Sequence, residues 1–255
     1  MKTRIVSQTP EEKLGQSELR GKILTSLEDN VGFTVSHVNL SQKDQGHLVP
    51  LHDGHNHIYY CIQGKCFITL EDDEKTTFTL TGDTLLALSS STKARFQVQE
   101  SCTCMAVVSV PALLDIQPDP YFLGLKSILG TDREVDFKRG YSRRFLREAD
   151  GFNITITNTM PSANVPCPMH YRNHIEANFF IRGRGIYSWN NETESLEFDV
   201  HDPVKKDGIL YLLDEHDPHS LLITEENSQI MCVFFPALRG DEVHNFEDSS
   251  QKSSY

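Results

Sequence analysis

The sequence predicts an all-β chain folded as two tandem β-barrels. Three observations predict it: short segments rich in β-branched and aromatic residues recur, turn-forming residues punctuate them, and the pattern begins again halfway along. The first series is Phe33 to Leu40, Cys66 to Leu70, Thr77 to Leu80, Arg95 to Val98 and Cys104 to Val110. The second is Phe152 to Thr159, Asn178 to Ile181, Gly185 to Trp189, Ile209 to Leu213, Ser220 to Thr224 and Gln229 to Phe235.

The two series are copies of one unit. Gly32-Phe33 matches Gly151-Phe152, His57 matches Glu176 and Gly64 matches Gly183, all at one constant offset. The run Val108 to Leu113 matches Val233 to Leu238 at a larger offset, so the second copy carries extra residues in one loop, expected at Asn190 to Lys206. This is a two-fold duplication and not an array of short units. The expected division is a first domain over 1–114, a linker over 115–130, a second domain over 131–244 and a polar tail over 245–255. In the linker, Pro118 and Pro120 precede a short apolar stretch, Tyr121 to Leu129, which reads as one or two helical turns. The Ser-rich tail reads as mobile.

Composition limits the partners. With 255 residues, 36 acidic and 24 basic, the chain carries a net charge of −12, which repels nucleic acid phosphates and anionic lipid heads. No apolar run reaches the roughly 20 residues of a membrane span, and Met1 to Gly15 holds no apolar secretory core. The expected location is the cytoplasm, where the six cysteines would remain thiols. Cys102 and Cys104 could form half of a zinc site, but no second pair is suitably spaced, and small apolar core residues explain them better.

Chemistry concentrates in the second copy. In His170-Tyr171-Arg172-Asn173-His174-Ile175-Glu176, residues two apart share a strand face, so His174 and Glu176 can point together into a barrel, while Tyr171 needs a bend to join them. A second cluster runs from Gly208 through Tyr211 to Asp214-Glu215-His216-Asp217-Pro218-His219. A lone Glu facing a barrel interior is costly unless paired or metal-bound, which favours a function for Glu176. His216, among loop acids, reads as a surface residue or a supporting partner, and His201 has no role assigned.

Together the two clusters resemble the two cupin motifs, which implies double-stranded β-helix (jelly-roll) barrels and a first-row metal. Mixed nitrogen, carboxylate and phenolate donors suit ferrous iron, with zinc or manganese as alternatives. From about Thr131 onward the sequence is similar to the ectoine synthase family. The resemblance rests on His170 to Ala177, on Tyr211 to His219, and on Cys232-Val233-Phe234-Phe235-Pro236-Ala237-Leu238-Arg239-Gly240-Asp241-Glu242-Val243-His244, the last being the most specific. It implies that Glu176, Tyr211 and His219 hold a catalytic Fe2+. It also implies that Arg144, Thr159, Tyr171, His174, Phe234, Glu242 and His244 line the pocket.

The implied reaction closes N4-acetyl-L-2,4-diaminobutyrate to ectoine, a compatible solute, with loss of water. In it Glu242 or His174 serves as base, Tyr171 as proton donor and Arg144 as the carboxylate partner. Three features depart from the family. Gly140 stands where the family commonly has a Trp, the second copy has an extra loop, and a first barrel is fused to it.

The first copy holds His52, His55 and His57, yet Gly82 to Ala94 offers no His or Tyr to complete a site. Hydrogen-bonded histidines are therefore favoured there over a metal. This copy is expected to replace the second subunit of the family's dimer, giving a pseudo-dimer within one chain, with homodimerisation of the whole chain a further option. Two rival functions stand beside the cyclase. One is a different metal-dependent enzyme (oxygenase, lyase or isomerase) on a related small amino-acid derivative, and the other is a non-catalytic binding or storage double cupin.

Overall fold

Extended segments account for nearly all regular structure, as the density of Val, Ile, Thr and aromatic residues requires. The computed structural model describes residues 1–240, 242, 244 and 246, apart from 43, 74, 101 and 102. The strands in chain order begin with β1 (Lys2–Ile5), β2 (Glu11–Lys13), β3 (Arg20–Thr25), β4 (Thr34–Leu40), β5 (Gln45–Leu48) and β6 (His55–Gln63). There follow β7 (Lys65–Leu70), β8 (Thr77–Thr81), β9 (Thr84–Leu88), β10 (Ala94–Val98), β11 (Thr103–Pro111) and β12 (Tyr121–Gly124). After them come β13 (Glu134–Asp136), β14 (Gly140–Leu146), β15 (Thr155–Pro161), β16 (Cys167–Met169) and β17 (Ile175–Arg182). The last are β18 (Arg184–Trp189), β19 (Glu194–Asp199), β20 (Ile209–Leu213), β21 (His219–Ile223) and β22 (Gln229–Phe235). Every strand segment read from the sequence is among them. No helix of the described residues is long and apolar enough to cross a membrane.

The chain divides into two units. The first comprises Thr9–Ser127 with Asp150–Asn153, and the second Met1–Gln8, Ile128–Ala149 and Ile154–Tyr255. The first unit has a seven-stranded sheet in the order β12-β9-β6-β11-β4-β3-β2 and a four-stranded sheet β5-β10-β7-β8. The second repeats that order as β1-β20-β17-β22-β15-β14-β13 and β16-β21-β18-β19. All ladders within the two units are antiparallel. Each unit is thus a double-stranded β-helix, the jelly-roll arrangement expected.

The unit boundaries differ from the sequence expectation in two places. Met1–Gln8, placed with the first domain, belongs to the second unit because β1 pairs along β20 from Lys2↔Leu212 to Ile5↔Ile209. Tyr121–Gly124, expected as a helical linker, is a strand that pairs with β9 of the first unit, and one 3-10 turn, Leu125–Ser127, follows it. Outer strands this short carry little local signal, since their side chains alternate over too few residues to show a period.

The loop expected at Asn190 to Lys206 also resolves further. It contains β19, the counterpart of β8, and the added length lies after it. Gly82-Asp83 joins β8 to β9, whereas residues 200–208 join β19 to β20. Gly64 and Gly183, at φ +90 and +92, turn the matching hairpins β6–β7 and β17–β18. Of the tail only Phe246 falls within the described residues, and Cys102 lies outside them.

Inside each barrel the faces of the two sheets pack on one another. The first core includes Val38, Tyr59, Ile68, Leu86, Ala94, Phe96 and Met105. The second includes Phe180, Tyr187, Phe198, Tyr211, Leu221, Cys232 and Phe234. Five described cysteines, Cys61, Cys66, Cys104, Cys167 and Cys232, are buried free thiols.

Candidate active site

The second barrel admits polar groups into its apolar core at one place. Glu176 on β17 faces inward, opposite Leu213 of β20 and Phe234 of β22, and is 2% exposed. His219 opens β21, whose alternation puts His219, Leu221 and Ile223 inside. Its Nε2 stands 3.6 Å from Glu176 Oε2, too far for a hydrogen bond, and neither atom has a hydrogen-bond partner. The His219 Nδ1 lies 2.8 Å from the Asp217 carbonyl. A carbonyl only accepts, so Nδ1 carries the ring proton and Nε2 presents its lone pair to the carboxyl group. Burial raises the Glu176 carboxyl well above the usual range and lowers His219 to about 4. Burial thus disfavours the charged form of both groups, and the imidazole is neutral at neutral pH.

A narrow cavity opens beside Glu176. Arg144, Thr159, Tyr171, Phe234, Glu242 and His244 line it, together with Phe137 and Asn178. Arg144 on β14 is 3% exposed. Its Nη2 donates to the Glu242 carbonyl at 3.0 Å, and Nη1 lies 3.6 Å from Glu242 Oε2. Its Nε and Nη1 are buried without a hydrogen-bond partner, so the guanidinium keeps donor capacity for an anion. Glu242 is held in turn by the backbone N–H groups of Arg239 and Gly240. The Tyr171 hydroxyl lies 3.4 Å from His244 Nε2. His244 is lowered to about 4 by burial, with His219 and Arg144 adding to the shift, so its ring is neutral at pH 7.

Two expected residues stand differently. His174 is partly exposed, makes a 2.8 Å contact from Nδ1 to the Pro236 carbonyl and is not among the cavity residues. The strand begins only at Ile175, so the two-apart rule does not reach back to His174. The bend before it brings in Tyr171 instead. Tyr211 is fully buried, but its hydroxyl donates to the Leu196 carbonyl at 3.1 Å. The ring of Tyr187 stacks on Tyr211 at 4.5 Å and on His219 at 5.3 Å, so Tyr187 lies between those two. Among the described residues no three His, Cys, Asp or Glu side chains cluster as a metal site.

Two residues of the site went unread in the sequence. Asn178 shares a strand face with Glu176, and Tyr187 lies on the inward face of β18; strict two-residue alternation from Glu176 would have found the first. His216 contacts the Tyr171 carbonyl at 3.0 Å and supports that loop, while His201 pairs with Glu225 at the surface.

Gly140 has φ +141, and a Cβ there would stand 2.4 Å from the Met160 carbonyl and 3.0 Å from the Phe137 ring. No side chain fits at that position, and Phe137 supplies the aromatic wall of the cavity.

Among the described residues the first barrel holds no comparable site. At the places of Tyr211 and His219 it has Leu86 and Ala94, both core residues. His57, the counterpart of Glu176, bonds Tyr59 Oη at 2.7 Å and the Thr92 carbonyl at 3.0 Å. His52 and His55 meet edge to face at 5.3 Å.

Residues 123–253 match the family model described as Ectoine synthase. The L-ectoine synthase of Wolinella succinogenes is 35% identical over 122 residues, covering 47% of this chain and 87% of that one. Among solved structures, the protein YlbA of Escherichia coli superposes with a TM-score of 0.72 at 13% identity, over 91% of this chain and 89% of that one. Oxalate decarboxylase of Bacillus subtilis, a protein with Mn(II) centres, reaches 0.64 at 11% identity over 92% and 77%. At those identities the likeness is of fold, and the fold is that of a double cupin.

Proposed function

The chain belongs to the ectoine synthase family, a family of hydro-lyases, and from that premise we propose that it cyclises N4-acetyl-L-2,4-diaminobutyrate to ectoine with loss of water. One observation carries this reading. A single cavity joins buried donors without a hydrogen bond, Arg144 Nε and Nη1, to Glu176, whose Oε2, like the neighbouring His219 Nε2, is buried without a hydrogen bond. The donors suit a carboxylate and the acceptors suit a cation. A zwitterionic amino acid processed on a metal needs both.

The fit of a divalent ion is judged on those acceptors. Glu176 and His219 would hold it, since unsatisfied buried oxygen and nitrogen lone pairs are what a cation stabilises. Tyr211, the third expected ligand, joins them only by releasing the Leu196 carbonyl. Fe2+ is the proposed ion, and Mn2+ or Zn2+ could occupy the same donors. Bound there, the ion would supply Lewis acidity towards the amide carbonyl.

The protein's own groups account for the remaining steps. Arg144 binds the substrate carboxylate by charge-assisted hydrogen bonding and orients the chain, so that amine and acetamide meet within one molecule's reach. The apolar walls, Phe137, Phe234 and Leu238, exclude water from a product that water could reopen. Glu242 at the cavity edge takes a proton from the attacking amine. The Tyr171 hydroxyl donates one as hydroxide leaves, and the proton taken up by Glu242 is relayed back to it through His244, 3.4 Å from that hydroxyl. The free buried thiols agree with action in a reducing cytoplasm.

Incubation of the full chain with Fe2+ and the acetylated diamine under anaerobic conditions tests the proposal. Ectoine should appear, and Glu176→Ala should abolish iron binding and ectoine formation together. Iron-loaded protein that leaves the diamine unchanged would refute it. Gly140 favours one second reading, a related N-acylated amino acid as substrate, because Phe137 shapes that wall of the cavity from a different position than a residue at 140 would.

A further inference from the structure

The small sheet of the first barrel carries on its outer face a groove of about 850 Å3, the size of a site for an organic ligand. Strand alternation builds it. Leu48, Ile68, Ala94 and Phe96 turn into the core, so Gln45 and His47 of β5, Arg95 and Gln97 of β10, and Phe67 and Thr69 of β7 stand outward. Ladder register sets these six in two adjacent rows across the strands. One is His47, Arg95 and Thr69, and the other is Gln45, Gln97 and Phe67. Thr77 of β8 continues the first row through a 2.9 Å hydrogen bond to Thr69. Gln45, His47, Arg95 and Gln97 are exposed, and Phe67 is half-buried.

The edge of the groove is shaped by a glycine. A Cβ on Gly46 would stand 2.5 Å from Glu18 Oε2, so the missing side chain lets that carboxylate lie against β5, where it accepts the His47 N–H at 2.6 Å. The Glu71 carboxylate accepts from His47 Nδ1, which fixes the ring and leaves Nε2 to a ligand.

The duplicated sheet of the second barrel serves as an internal comparison. The same register puts Pro168 where the first copy has His47, Ser220 in place of Arg95, Leu222 in place of Gln97 and Ile186 in place of Phe67. The fold therefore does not require an amide, a guanidinium, an imidazole and an aromatic ring on this face. They belong to the copy whose interior holds no site.

The lining selects among ligands. Its two permanent charges, Glu18 and Arg95, cancel, so it favours neither a phosphate nor a cation. One half-buried ring is too small an apolar anchor for a protein partner. A neutral ligand rich in hydroxyl groups fits both remaining features. Side-chain amides donate and accept at adjacent hydroxyls, the guanidinium donates in a plane, and the threonines do either. The Phe67 ring presents its negative face to the weakly positive C–H side of a sugar. A ligand stacked there takes the place of Lys65 Nζ, which lies 5.5 Å from the ring centroid.

We propose that this groove binds a neutral oligosaccharide, with Phe67 as the stacking platform and Gln97, Arg95 and His47 as the hydroxyl-reading groups. The first copy is then a binding module joined to the second.

Isothermal titration calorimetry of the full chain against xylohexaose, cellohexaose, maltohexaose, laminarihexaose and mannohexaose tests it. At least one should bind with Kd of about 1 mM or tighter. Phe67→Ile and Gln97→Leu, which install the residues of the second copy, should each weaken that binding about tenfold or more, and Glu176→Ala should leave it intact. Gln97 is exposed, so its variant reads the groove even where Phe67→Ile folds poorly. Three results overturn the proposal: no hexasaccharide of the set bound at about 5 mM, binding undiminished in Gln97→Leu and in folded Phe67→Ile, or a heparin hexasaccharide bound in preference to the neutral ones.

Discussion

His219 Nε2 and Glu176 Oε2 face each other across 3.6 Å, both buried and both without a hydrogen bond. Burial keeps the carboxyl protonated well above its ordinary range. The sign of the consequence follows from linkage. A folded pKa above the unfolded one gives a stabilising term that is complete below the unfolded value of 4.5 and is lost as pH rises through the folded one. With a chelator present, the protein should therefore soften as pH rises above 4.5. Glu176→Gln imitates the protonated acid and should flatten that decline, melting above the parent at the alkaline end. With Fe2+ added the order should reverse. Thermal melts at several pH values give the answer, and a Gln variant less stable than the chelated parent at high pH would mean that the carboxyl is already ionised.

Arg144 holds Nε and Nη1 without a hydrogen bond at a position where almost no water reaches it. Arg144→Met should lower kcat/KM at least about 100-fold, equivalent to about 3 kcal/mol for a buried charge-assisted pair. Arg144→Lys keeps the charge but not the planar set of N–H groups, and should recover only part of the loss. Steady-state kinetics on the acetylated diamine measures both. Rates unchanged in the Met variant would place the substrate carboxylate elsewhere.

At Gly183 the backbone sits at φ +92, and a Cβ would stand 1.9 Å from Ser228 Oγ. That hydroxyl accepts the Arg184 N–H and donates to the Glu225 carbonyl, so it has no free direction in which to retreat. Gly183→Ala should cost about 2–3 kcal/mol, combining strain with overpacking. Gly64 has φ +90, and a Cβ there would lie 2.6 Å from Thr103 Cα, so Gly64→Ala should behave alike. Urea denaturation of both variants tests whether the duplicated hairpin carries the same constraint in each copy.

Much of this architecture could be read in the sequence, for physical reasons. Strands that bury a face, such as β10 and β21, alternate over enough residues to show their period. The matching glycines betray the duplication because only glycine is at ease at φ near +90. The cavity residues were legible through a family resemblance, but their orientations were not. His174 missed the cavity because a bend precedes Ile175. The Tyr211 hydroxyl took a backbone carbonyl that no residue pattern reveals. Tyr187 carried no signal of its own, since stacking and a hydrogen bond to Asn178 appear only once three strands are brought side by side. The exchange of β1 into the second unit was equally hidden, because pairing between Lys2 and Leu212 is set by topology, not by local composition.

That exchange makes its own prediction. All five residues of β20 are buried, and β1 covers one of its edges. Deletion of residues 1–8 would bare an apolar strand edge, a ready template for pairing with another chain. The shortened protein should melt at lower temperature and associate at micromolar concentration, as read by light scattering. A monodisperse deletion variant with an unchanged melt would show that β1 contributes nothing to the barrel.

His57 provides a test of the first barrel. Its Nε2 meets the Thr92 carbonyl and its Nδ1 meets the Tyr59 hydroxyl, so the neutral ring is satisfied at both nitrogens and has no lone pair left for a metal. Burial lowers it to about 4. The unfolded chain takes up this proton near pH 6.5 and the folded one only near 4, so stability is lost as pH falls across that window, by about 3 kcal/mol for this residue in total. His57→Gln should reduce the slope of unfolding free energy against pH by up to about 1.4 kcal/mol per unit between pH 6 and 4.5. The intact protein should bind no second equivalent of iron or zinc at this barrel. An unchanged slope would mean that the ring titrates as if in water. A second metal equivalent that disappears in the variant would mean that the first copy kept a site after all.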